Sequence, residues 1–368
     1  MTKRIAVIGF GQRLTAVLAA MREAGWDFEI AGQADPAPTN GAPVFPSVAA
    51  LLADGPFDLV MIGSPNHLHY EHLLAAFEAG YPVFAEKPIV RTEAETFALA
   101  RHLSSAPPLY IGLVMRSMPI VREVIARVDG GELGTIVSMD ATEHLPPEHG
   151  AYLARNWRRK EEWGGSFLLD KVCHDFDIFG RIAKSRAARV ASFGGKTIFA
   201  SEHASEHEAY NAVDAGWAGA NDAFHSDMDV SDHQVVLVEY ANGMRLSFHS
   251  NSHTSLTERR WYVAGTKGTL IADLVRNRLM VRTAHDRGKP ERIDYGGRTA
   301  DAHNGADQAM ARDLLDALEG RAAFPVTPLE SLEAGLTVMA VDRAMREGAV
   351  VDCAPIWADY DLAVSALK

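Results

Sequence analysis

Five short apolar runs in the first third of the chain, each followed by a turn and then by helical periodicity, limit it to few architectures. The runs are Ile5 to Ile8, Phe28 to Gly32, Phe57 to Ile62, Val83 to Ala85 and Leu109 to Val114. Successive strands separated by a helix cannot be hairpin partners, so the pattern predicts a doubly wound parallel sheet covered by helices on both faces. Thr92-Glu93-Ala94-Glu95 has the spacing of a capping box and opens one of those helices. Beyond residue 120 the pattern changes. Val235 to Tyr240 and Met244 to His249 flank Ala241-Asn242-Gly243, a hairpin signal. Strands near Thr135 to Thr142, Arg189 to Phe199, Arg260 to Ala264, Thr269 to Asp273, Arg278 to Arg282 and Arg292 to Tyr295 accompany them. Amphipathic helices follow at about Asp307 to Leu318 and Leu329 to Met345 and are expected to close the chain. The fold class is therefore α/β: a Rossmann domain over residues 1–120, then an α+β domain over 121–368 with a large, mostly antiparallel open sheet.

Composition narrows the function. The chain has 368 residues and is 47% hydrophobic, enough for two cores. Lysine and arginine total 36 against 48 acidic residues, a net charge of -12 with no basic block, which argues against nucleic acid and anionic membranes as partners. Only Cys173 and Cys353 are present, and the N-terminus runs straight into a strand, so a reducing, cytoplasmic setting is expected. No apolar run is long enough to span a bilayer.

Gly9-Phe10-Gly11 joins the first strand to a helix from about Arg13 to Ala24, the context a dinucleotide fingerprint requires. The segment Gly9, Phe10, Gly11, Gln12 and Arg13 would face a pyrophosphate at the positive end of that helix. Leu14 stands where the fingerprint has a third glycine or alanine, which predicts a helix set slightly further from the sheet. Asp35 follows the second strand, where an acid would accept from the adenosine ribose and repel a 2'-phosphate. NAD is therefore expected ahead of NADP, with Arg13 able to soften the preference; Asp35 as a turn residue before Pro36 is the alternative. Ser64, Pro65 and Asn66 leave the third strand at the same edge, with Ser64 and Asn66 as candidate helix caps.

Val83-Phe84-Ala85-Glu86-Lys87-Pro88 is a buried strand ending in charge. Such a lysine can be partly desolvated and donate to a substrate hydroxyl, or it can sit solvated on a turn. A second stretch begins at Gly164-Gly165-Ser166, with a helix to about Ile182. Asp170, His174, Asp177 and Arg181, spaced by four, three and four, make a polar stripe on an otherwise apolar helix. The stripe is either a row of internal ion pairs or a site in a cavity. Arg155, Trp157, Arg158 and Arg159 would orient a hydroxylated or anionic substrate in a cleft, or lie solvated on a surface helix. Residues 200–230 read as a polar insertion and a flexible loop; His203 and His207 have helical spacing but no third ligand, so no metal is expected.

The glycine turn, Ser64-Pro65-Asn66 with His69 three residues on, and above all Glu86-Lys87-Pro88 after the fourth strand resemble the Gfo/Idh/MocA family of NAD(P)-dependent oxidoreductases. The resemblance extends over most of the chain and implies that Glu86, Lys87 and His69 border the cofactor pocket, with a cis bond often preceding the proline. Asp170 and His174 match the spacing of an acid and a base in the family's sugar and polyol dehydrogenases, where the base takes the proton of a ring hydroxyl and Lys87 would donate to the same oxygen. It implies hydride transfer between NAD and a secondary ring hydroxyl of a sugar, sugar derivative or cyclitol. A glycosidase acting by transient oxidation, elimination, water addition and re-reduction is the alternative, and a non-catalytic NAD-binding sensor a further one. It also implies a homodimer or homotetramer formed through the C-terminal sheet.

Overall fold

The computed structural model describes residues 2–38, 41–206, 215–216, 218–296 and 303–365. By contact the chain divides into two compact units. One comprises Met1–Met118, His303–Glu333 and Ala358–Lys368; the other comprises Pro119–Ala302 and Ala334–Trp357. A division at residues 120 and 121 thus lies close to the first crossing. A continuous second domain from 121 to 368 is not what forms, because two C-terminal segments return to the first unit. There Trp26 Nε1 donates to the Ala311 carbonyl at 2.9 Å and Arg116 pairs with Glu330 at 3.6 Å.

In the first unit β1 (Lys3–Ile8), β2 (Phe28–Ala34), β3 (Leu59–Ile62), β4 (Val83–Ala85) and β5 (Leu109–Ile111) form a parallel sheet in the order β2-β1-β3-β4-β5. Ile5 to Ile8, Leu59 to Ile62 and Val83 to Ala85 are all fully buried, as expected of strands covered on both faces. Strand order reverses between β1 and β3, which opens a crevice beyond their carboxyl ends. The Thr92 hydroxyl accepts from Glu95 N and the Glu95 side chain from Thr92 N, the expected capping box. A helix at Val48–Ala53, capped by Ser47, was not legible in the sequence because six residues are too few for a periodic signal.

In the second unit the strands are β6 (Ile136–His144), β7 (Ala187–Gly195), β8 (His233–Tyr240), β9 (Arg245–Asn251), β10 (Glu258–Gly265), β11 (Gly268–Asp273), β12 (Arg278–Thr283), β13 (Glu291–Asp294) and β14 (Val351–Asp352). They form one sheet, β13-β12-β11-β10-β6-β9-β8-β7-β14, antiparallel except where β6 runs parallel to β9. The helix Cys173–Ala183 covers one face, with Phe176 and Phe179 edge-on to Phe248 and Phe179 to Trp261. The Arg259 guanidinium lies against the buried carboxylates of Asp175 and Glu143 beneath it. On the opposite face Phe193 is 72% and Leu237 54% exposed, beside Val137, Val235 and Tyr262. The chain does not end with the two expected helices: β14 and a further helix, Ala354–Ser365, come after them.

Candidate functional site

The loops at the β1/β3 switch point are built against each other. Gly9 N donates to the Ala34 carbonyl at 3.0 Å and Gly63 N to the Ile8 carbonyl at 2.9 Å, so both turns leave the sheet side by side. Gly9 has φ +77°, and a Cβ there would lie 2.4 Å from Ser64 N, so no side chain fits. Gly11 is extended and caps the helix Gln12–Glu23 without a side-chain bond, and that helix has no acid in its first turn. Its amino end is thus suited to an anion. Leu14 is fully buried, and a Cβ on Gly63 would lie 2.5 Å from its Cγ. The small residue the fingerprint lacks on the helix is supplied by the facing turn, which is how the helix seats a leucine against the sheet.

Asp35 Oδ2 accepts from Phe10 N and Oδ1 from Ala37 N, each at 2.6 Å. The carboxylate therefore braces the glycine turn and makes its own turn as well. Arg13 is paired with acids through two of its three nitrogens, while Nη2 is buried without a hydrogen-bond partner. Its Nε lies 3.1 Å from Glu86 Oε1 and its Nη1 2.7 Å from Asp307 Oδ1. Burial works against the Arg13 charge, but Glu86 and Asp307 outweigh it and raise its pKa. Burial likewise opposes the Asp307 charge; the bond from His303, 2.9 Å away, and the Arg13 charge outweigh it and hold that carboxyl below its ordinary value. Sequence reasoning missed Asp307 and His303, since they lie at the far end of the chain with no spacing relation to Arg13.

Glu86 is buried and Lys87 half-buried at the end of β4, and the Lys87–Pro88 bond is cis. His69 is buried, with its ring nitrogens 2.8 Å from the Pro88 and Ser64 carbonyls, so it ties the two turns together. The expected caps do not form. Ser64 Oγ instead meets His72 Nδ1 at 2.9 Å, and Pro65 precedes the short turn Asn66–Leu68 without a side-chain cap. Burial, then the neighbouring His69 and His67, push the His72 pKa down to about 4, so that ring is neutral.

In the second unit Asp170 lies in a π turn, Leu168–Val172, that runs into the helix Cys173–Ala183. The extra residue in that turn rotates the helix after it about the axis, so the predicted stripe does not continue as one row. Asp170 meets Arg158, whose Nε is 3.2 and 3.1 Å from its two oxygens, while Arg181 reaches Asp129 at the surface. Asp170 and His174 are both buried. Of the four residues in the arginine-rich turn expected either to orient a substrate or to lie solvated, Arg158 is the one brought to Asp170.

The arginine-rich turn is not a solvated face. Arg155, Trp157 and Arg159 are all buried. Arg155 Nε donates to the Ala220 carbonyl at 2.9 Å. Arg159 holds Asp227 at 2.6 Å and Lys160 holds Asp229 at 2.7 Å. Phe199, Ala223, Phe224, Met228 and Val230 make a satellite core with Ala151 and Ala154, so the described part of the insertion is packed rather than loose. His207 lies outside the described residues, and among the described residues there is no cluster able to hold a metal.

Two family models match. Residues 3–110 match the oxidoreductase family NAD-binding Rossmann fold, and residues 121–271 match the GFO/IDH/MocA C-terminal domain. Levoglucosan dehydrogenase of Pseudarthrobacter phenanthrenivorans is 24% identical over 64% of this chain and 61% of its own length. Inositol 2-dehydrogenase 3 of Saccharopolyspora erythraea is 33% identical over 46% of this chain and 54% of its own. The chain thus spans about three fifths or less of these two relatives, whereas inositol 2-dehydrogenase of Paracoccus denitrificans is 25% identical over 95% of both chains. A levoglucosan dehydrogenase solved in complex with NADH shares the fold, with a TM-score of 0.80 at 18% identity over 96% of this chain and 99% of that one.

Proposed function

This chain belongs to the Gfo/Idh/MocA family of oxidoreductases, and from that premise we propose that it is an NAD-dependent dehydrogenase acting on a secondary ring hydroxyl of a sugar, sugar derivative or cyclitol. The observation that carries the reading is the crevice at the β1/β3 switch point, where an uncapped helix end, two turns locked together and the Lys87 strand end share one sheet edge. Those residues fit a dinucleotide: the Gly9 to Arg13 backbone for its phosphates, Asp35 for a ribose hydroxyl, and Ser64 to Asn66 beside them. With the Arg13 charge paired to two acids and a carboxylate at position 35, the fit favours NAD over NADP. NAD, when bound, takes or returns the hydride.

The rest of the work falls to the protein. Lys87 donates to the reacting oxygen, His174 takes its proton and Asp170 orients His174; such a base contributes about 10² to 10⁴ in rate. The substrate class follows the names of the relatives, levoglucosan and inositol dehydrogenases. The open apolar face of the nine-stranded sheet supports pairing with a second copy, as a homodimer or homotetramer. Cys173 and Cys353, buried and not joined by a disulfide, support a cytoplasmic setting, and among the described residues no helix is long and apolar enough to cross a membrane.

The test is cofactor reduction followed by absorbance with NAD or NADP and a panel of cyclitols, aldoses, anhydro sugars and aryl glycosides. Net NADH formation is the expected result. Aglycone release without net NADH would replace this reading with the redox glycosidase, and cofactor binding with neither would make the protein a sensor. Lys87→Ala and His174→Ala should each lower kcat by about 10² to 10⁴ while the protein stays folded; near-normal turnover in either would remove that residue from the mechanism.

A further inference from the structure

We propose that Arg158 is a positioning residue: it holds the Asp170 carboxylate ionised and in one orientation, and so governs how readily His174, four residues on, takes a proton. The proposal rests on the roles given above to Asp170 and His174. What points to it is that the guanidinium is fixed by groups other than Asp170. Its Nη1 donates to Asn156 Oδ1 at 2.9 Å, its carbon lies 4.2 Å from the centre of the Trp157 ring, and the Tyr152 hydroxyl is 3.4 Å from Nη1. Asn156 is itself buried and anchored, with Nδ2 donating to the Ala215 carbonyl at 2.7 Å.

A planar cation so held presents Nε to both carboxylate oxygens and sets their orientation. Lysine would supply the charge but neither a second donor for Asn156 in the same plane nor the stacking. In the roles given above Asp170 and His174 share the work of one base, so a positive charge held beside Asp170 lowers the affinity of the two for a proton. The base is thereby kept neutral at lower pH than the carboxylate alone would allow.

Other charged groups on this helix and on the elements packed against it include Lys171, Asp175 with Arg259 and Glu143, Asp177, Arg181 with Asp129, Arg122, Glu123 and Arg127 on the helix Pro119–Asp129, Asp342 near the first turn, and His253 beyond β9. Substitutions at Arg158 leave all of them in place.

The experiment follows the His174 ring by NMR against pH in the full-length protein without substrate, for wild type, R158M, R158K and N156A, with the pH profile of kcat/KM measured beside it. In R158M the titration and the acid limb of the profile should both move up by about one pH unit, with the KM for NAD unchanged. R158K, which keeps the charge, should move them by less than half as much. N156A, which keeps the guanidinium but removes its Oδ1 acceptor, should shift them in the same direction by a smaller amount. An R158M protein that folds and titrates as wild type would overturn the proposal, as would a fall in kcat with no movement of the limb. Should R158M not fold, an unshifted N156A overturns it equally. The ring titration needs no turnover, so a protein inactive on every substrate would defeat the proposed function while leaving this inference to be decided by NMR.

Discussion

Leu14 and Gly63 should be energetically coupled, because one occupies the space the other leaves. Leu14 is fully buried, so Leu14→Ala alone should cost about 2 to 5 kcal/mol in lost burial and cavity. Gly63 lies outside the left-handed region, so Gly63→Ala carries no backbone strain. It does place a methyl 2.5 Å from Leu14 Cγ, 2.7 Å from its Cδ1 and 3.1 Å from the Gly9 carbonyl oxygen. Overpacking of that kind costs about 1 to 3 kcal/mol. In the double variant the two worst contacts vanish with the leucine side chain, and the added methyl fills part of the hole it leaves, worth about 0.8 kcal/mol. Only the contact with the Gly9 oxygen persists. The pair should therefore be about as stable as Leu14→Ala alone, with a coupling of about 1 to 3 kcal/mol in the direction of rescue. Urea unfolding of the four proteins followed by circular dichroism closes the cycle. Additivity within about 0.5 kcal/mol would refute the claim that Gly63 supplies the room the fingerprint's third glycine normally gives.

Two further outcomes concern the second unit. Arg259→Leu leaves Asp175 and Glu143 buried without their cation and should destabilise by about 3 to 5 kcal/mol, read from the urea midpoint; a loss below about 1 kcal/mol would mean the triad is solvated in solution. Asp342, whose pKa burial pushes from 3.8 up to about 7 against bonds from Ser166 and Gln234, keeps its proton in the folded chain at a pH where the unfolded chain has lost it. Its contribution is complete below the unfolded value and is lost as pH rises through the folded one, a change on the order of 4 kcal/mol. Asp342→Asn should flatten the fall in Tm between about pH 4 and pH 7, and parallel curves for the two proteins would contradict this.

Much of the frame was legible because it is written in short windows. The apolar runs of β1 to β4, the Gly9 turn, the Thr92 capping box and the hairpin at Asn242-Gly243 each depend on a few neighbouring residues whose backbone preferences act locally. The same logic misjudged side chains whose fate depends on burial. Arg155 and Arg159 look like solvent-facing residues until the insertion offers them carbonyls and carboxylates, and Phe224, Met228 and Val230 look like part of a polar loop until Ala151 and Ala154 are set beneath them.

By itself, then, the sequence determined where strands, turns and helices lie, which turns meet at the β1/β3 edge, and which residue types are available for proton and hydride chemistry, because periodicity and turn stereochemistry act over a few residues. Only the tertiary structure decided which charges neutralise one another. Arg13 with Asp307, Arg158 with Asp170 and Arg259 with Asp175 are pairs without a helical or strand spacing, made when burial strips water from ions that must then find a partner elsewhere in the chain. The π turn that carries Asp170 and the return of residues 303–333 to the first unit were likewise decided by packing against distant chain, to which no local window has access.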